Sequence, residues 1–143
     1  MWRIGILLVA CAAMAQAPSF QPVGTMSQLM ISIIYPTSDA IFYIDRAPLT
    51  TETQWNTLRG QALMLAESGN LLMIGGRARD QADWIKFSNM MLEAGRTAYK
   101  AALTKDLDGI RGVNDQLYSS CVGCHSEYRP NYGRRPQAGQ QQK

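Results

Sequence analysis

At 143 residues, with a formal net charge of +3 and 46% hydrophobic against 17% charged content, the chain suits one domain with an apolar interior. Acidic and basic residues are interspersed over most of its length, which argues against nucleic-acid binding. No apolar run approaches the about 20 residues that a membrane-spanning helix needs.

Residues 1–15 read as an export signal. Arg3 supplies a minimal positive start, Ile4 to Ala13 an apolar stretch, and Ala13-Met14-Ala15 a small-x-small cleavage site before Gln16. A competing reading takes Leu8-Val9-Ala10-Cys11 as a lipoprotein box, which would leave Cys11 as a lipid anchor at the mature N-terminus. Under either reading the mature chain works outside the cytoplasm. A linker, 16–24, contains Pro18 and Pro22.

Residues 25–129 read as four helices. Thr25 with Gln28 has the form of a capping box, and Met26, Met30, Ile33, Ile41 and Ile44 form a stripe interrupted by Pro36. Pro36 lacks an N–H and its ring would crowd the Ser32 carbonyl, so the helix is expected to kink or break there. A bend that follows the core explains this; a bend that aims the Met30 segment at a bound group is the sharper reading. Thr51 with Gln54 predicts the second helix, carrying Trp55, Leu58, Ala62 and Leu65, with Gly69-Asn70 as its end or as the start of a frayed extension. Gly75-Gly76-Arg77-Ala78-Arg79 lacks the Lys-Ser/Thr of a phosphate loop and reads as a turn.

Asp80 is the expected cap of the third helix, whose stripe is Trp84, Phe87, Met91, Ala94, Ala98 and Ala101. The small residues late in that stripe admit something bulky, either a neighbouring helix or a prosthetic group. Trp55 and Trp84 read as core. Asp106-Leu107-Asp108-Gly109 is the next expected turn, and the last helix then runs through Ile110, Val113, Leu117, Cys121, Cys124 and Tyr128 until Pro130. The tail, 130–143, is polar and basic and is expected to be flexible. Short links between amphipathic helices, with no strand-like alternation, predict an all-α, antiparallel four-helix bundle.

The last helix carries the chemistry. Cys121-Val122-Gly123-Cys124-His125 is a Cys-x-x-Cys-His run, the attachment signature of c-type haem, in which two thiols bond to the porphyrin and the imidazole binds its iron. Spacings of three and four place Cys121, Cys124 and His125 on one helix face, which suits a flat macrocycle. His125 is the only histidine of the chain. A structural zinc site would want four ligands and a thioredoxin-like motif a βαβ setting, neither of which the sequence offers. One covalently attached haem c is therefore the expected cofactor.

An exported helical chain with Cys121-x-x-Cys124-His125-x-x-Tyr128-Arg129 in its last helix resembles the cytochrome c′ family, the class II c-type cytochromes. The resemblance runs from about Met26 to Arg129, with only the C-terminal motif specific. It implies thioether bonds at Cys121 and Cys124, axial ligation by His125, and Arg129 near the haem; a cation placed favourably at a helix C-terminus is the plainer account of Arg129. Low-spin relatives carry a methionine ligand on the first helix, and Gln28-Leu29-Met30 resembles them. Met30 is thus the expected sixth ligand, with Met26 one turn earlier as the rival and core packing as the plain alternative.

With His125 and Met30 both on the iron, the resemblance implies a periplasmic electron carrier acting on redox partner proteins, and not an enzyme. If Met30 does not bind, it implies a five-coordinate haem open to nitric oxide or carbon monoxide. Peroxidase-like chemistry would want a distal acid-base group, and the sole histidine is already used. Homodimers are common in the resembling family, but the sequence identifies no face for one.

Overall fold

The structure, a computed structural model, describes residues 20–129 and 131–132. The expected leader 1–15, Cys11 and the tail from residue 133 lie outside the described residues. Within them every regular element is helical.

The chain enters a rod made of three consecutive pieces: α1 (Met26–Leu29), a π-helical turn (Met30–Ile34) and α2 (Tyr35–Phe42). Thr25 starts it through a complete capping box, its hydroxyl accepting from the Gln28 amide while the Gln28 side chain accepts from the Thr25 amide. Pro36 neither breaks nor ends the rod. The helix widens just before it, and the Tyr35 N–H reaches back five residues to the Met30 carbonyl. Carbonyls loosened by this widening find hydroxyl donors: Thr37 Oγ1 donates to Ile33 O at 2.7 Å and Ile34 O at 3.1 Å, and Ser38 Oγ donates to Tyr35 O at 3.0 Å. The rod closes on a 3₁₀ turn at Ile44–Arg46.

Helix α3 (Glu52–Met73) begins on the expected Thr51/Gln54 capping box. It does not stop at Gly69-Asn70. Gly69 is a packing residue, since a Cβ there would stand 2.6 Å from Leu92 Cβ. The chain turns instead at Gly75-Gly76, where Gly76 takes φ +87°.

Helix α4 (Asp83–Leu103) starts three residues after Asp80, yet Asp80 still serves its end: Oδ1 accepts from Ala82 N at 2.8 Å and Trp84 N at 3.1 Å. The buried Trp84 ring donates from Nε1 to Leu72 O at 2.8 Å and ties α4 to the end of α3. The small residues of α4 admit a helix. At Gly95 an added Cβ would meet Ala66 N at 2.6 Å, and Ala94 and Ala98 lie buried in the same core.

The expected last helix is two. Asp106 caps a short α5 (Leu107–Arg111) through its side chain on Gly109 N at 2.9 Å, so Asp106-Leu107-Asp108-Gly109 opens a helix and does not form a bare turn. The chain restarts at α6 (Asn114–Tyr128). Helix α4 packs on both α3 and α6, and α2 packs on α3, which gives a helical bundle. Ile41, Leu65, Ile110 and Leu117 are wholly buried at its centre, each contributing about 1.5–3 kcal/mol.

Candidate haem-attachment site

Between the rod, α4 and α6 lies a cavity of about 770 Å³. That lies within the range of about 300–1,000 Å³ common for cofactor and ligand sites. Helix α6 brings Cys121, Cys124, His125 and Arg129 to its wall, the rod brings Met30, Ile34 and Phe42, and α4 brings Phe87 and Met91. A smaller adjoining space of about 360 Å³ shares Met30, Cys124, His125 and Arg129 and adds Met26, Arg79, Trp84 and Tyr128. All five residues singled out in the sequence therefore meet at one place, although about ninety positions separate Met30 from the rest. The rival Met26 borders only the smaller space.

The two cysteines are free thiols, both half-buried. Burial pushes the Cys121 thiol up, partly offset by Ser120 Oγ, which donates to its sulfur at 3.9 Å. Burial, then the nearby Cys121 charge, pushes Cys124 up to about 11. Both are neutral thiols at pH 7. His125 goes the other way: burial first, then the Arg129 guanidinium, holds its imidazole below the usual value. A neutral ring keeps a nitrogen lone pair available for a metal. The ring meets Tyr132 edge to face at 5.1 Å.

Gly123 is required by a close approach. A Cβ there would stand 2.3 Å from Phe87 Cε1, so α6 lays its backbone directly against that ring between the two cysteines. Arg129 ends α6 with its N–H on His125 O at 3.1 Å and holds its guanidinium 5.8 Å from the Tyr132 ring centre.

The far end of α6 is anchored. The Tyr128 hydroxyl donates to Asp80 Oδ2, the same carboxylate that serves the start of α4, and the Tyr128 ring packs edge-on against Trp84 at 4.9 Å. This bond lowers Asp80 and pushes Tyr128 up to about 12. No local pattern marks the pairing, because the residues are 48 positions apart. Phe87 stands in the apolar stripe of α4, and nothing in the stripe marks it as a cavity wall.

The residues fit a covalently held haem: two unpaired thiols and one neutral imidazole open onto an apolar space of suitable size. Among the described residues no group of three or more His, Cys, Asp or Glu side chains is arranged to hold a bare metal ion. Compared with models of protein families, with curated proteins and with solved structures, the chain matches none.

Proposed function

We propose that this chain is an exported c-type cytochrome that moves single electrons between redox partner proteins in the periplasm. The observation that carries this reading is the meeting of Cys121, Cys124 and His125 from α6 with Met30 from the rod on one apolar cavity. Cys121 and Cys124 would hold the haem c by thioether bonds, with His125 and Met30 binding its iron, in an antiparallel four-helix bundle. Once bound, the haem supplies a one-electron ferric/ferrous couple whose potential a thioether ligand raises.

The chain's own residues do the rest. Ile34, Phe42, Phe87 and Met91 exclude water around the group, which limits reorganisation of solvent when charge changes. Tyr128, held by Asp80, fixes the end of α6 one turn beyond His125 and so limits movement of the imidazole. None of these side chains is proposed as an acid-base catalyst, and the reading is of a carrier and not an enzyme.

The deciding experiment is the visible spectrum of the protein made with a cytochrome maturation system, reduced, with and without carbon monoxide, for wild type and Met30→Ala. The expected wild type is low-spin and barely altered by carbon monoxide, and Met30→Ala is expected to be high-spin and to bind it. A wild type that is already high-spin and shifts with carbon monoxide would replace the carrier reading with that of a five-coordinate gas-binding haem. Full covalent haem retention in a Cys121→Ala, Cys124→Ala double variant would sink both.

A further inference from the structure

The rod must satisfy two faces at once. Leu29 and Ile41 are both buried in the core, at 4% and 0% exposure, while Met26 and Met30 near one end and Phe42 at the other border the adjoining cavities. A regular α-helix turns about 100° per residue, so Leu29 and Ile41, twelve positions apart, would point about 120° apart. Met26 and Phe42, sixteen apart, would diverge by about 160°. Neither pair would share a face.

The π turn removes the conflict. A single π turn takes up one residue more than an α turn, which gives back about 100° of twist and leaves the two pairs about 20° and about 60° apart. The buried positions record this directly, stepping by five from Leu29 to Ile34 and by four from Ile34 to Ser38 and from Thr37 to Ile41. Pro36 falls where the widened backbone spares it the clash with the carbonyl four residues earlier.

We infer that the turn Met30–Ile34 contains one spare residue, and that this residue positions Met30 toward the cavity wall formed by His125 while Leu29 stays in the core. Met30 is the proposed ligand, so the functional meaning rests on the reading above; the register itself does not. Ser32 is exposed and borders neither cavity, so it can be removed without loss of packing.

The test compares taking a residue out with putting one in. The first variant deletes Ser32 together with Pro36→Ala, leaving a regular α-helix with both faces still aligned. The second inserts an alanine after Ser32, turning Met30 and Leu29 by a further 100° or so. Both are made as full-length, haem-loaded protein. Two readouts follow: the low-spin spectrum, and the rate of peroxide oxidation at Met26 and Met30 mapped by mass spectrometry.

The deletion is expected to keep the wild-type spectrum and oxidation rates. The insertion is expected to lose the low-spin spectrum and oxidise both methionines severalfold faster, or to fail to fold. If the deletion fails as the insertion does, or does not fold, the turn holds no spare residue and the inference is overturned. If the insertion is tolerated, register does not position Met30, and it is overturned equally. A wild type without a low-spin spectrum defeats the ligand reading alone, and the oxidation rates then decide the register.

Discussion

Gly95→Ala should loosen the contact between α3 and α4, although alanine is the better helix former. The added methyl carbon would stand 2.6 Å from Ala66 N, 2.8 Å from its Cα and 3.1 Å from its Cβ, where ordinary contact begins at 3.4 Å. Two of these three atoms are backbone, so no side chain can swing aside and the helices must part. Overpacking of this kind costs about 1–3 kcal/mol, against a gain of about 1 kcal/mol from helix propensity. The net loss is up to about 2 kcal/mol, or a fall in Tm of up to about 8 °C at roughly 4 °C per kcal/mol.

Gly60 is the control, because an added Cβ meets nothing within 4 Å and the residue is exposed on the same α3. Gly60→Ala should gain about 0.5–1 kcal/mol and melt a few degrees higher. Thermal and urea unfolding of both variants, followed by far-ultraviolet circular dichroism, gives the comparison. A Gly95→Ala protein that melts at or above Gly60→Ala would refute the close packing of these helices.

Tyr128→Phe should remove a pH-limited part of the stability. Asp80 is held low in the fold chiefly by the Tyr128 hydroxyl, so its contribution is present above the unfolded value of 3.8 and is lost as pH falls below it. Tyr128 is raised from 10.0 to about 12, so its contribution is present below pH 10.0 and is lost as pH climbs toward 12. The Tm difference between wild type and variant should therefore be flat between these limits and narrow outside them; a difference independent of pH would show that the pair does not act. Gly123→Ala should drive the Phe87 ring into the cavity and lower the yield of attached haem, with Phe87→Ala restoring it in the double variant. In the haem-free protein at pH 7, iodoacetamide should alkylate Cys121 and Cys124 more slowly than a free cysteine, the rate at Cys124 rising until about pH 11. Rapid alkylation at neutral pH would mean that the thiols are not buried.

The starts of the rod and of α3 were legible because a capping box is a local device: Thr25 with Gln28 and Thr51 with Gln54 need no distant partner. The stops were less so. Gly69 looks like a terminator in sequence but is small for the sake of Leu92, and the break between α5 and α6 falls inside a stripe, Ile110, Val113 and Leu117, whose apolar spacing continues across it. Pro36 announced an irregularity without its kind; residues 29–31, 33 and 34 are all apolar, so the five-residue step between the buried Leu29 and Ile34 shows only in the fold. Of the site, Cys121, Cys124 and His125 were legible from spacing alone. Met30 needed a family resemblance, and Phe87 and Asp80 needed three-dimensional proximity.

The cavity joins residues about ninety positions apart, and this sets when it can exist. Synthesis delivers Met30 long before Cys121, and α3 and α4, lying between them, have their mutual contact complete while the motif is still absent. The wall that carries the thiols is therefore the last to arrive. A chain cut short between Leu103 and Cys121 retains the α3–α4 pair and most of the buried residues but lacks both motif thiols. If haem is attached at Cys121 and Cys124 as proposed, only chains whose synthesis has passed His125 would carry it.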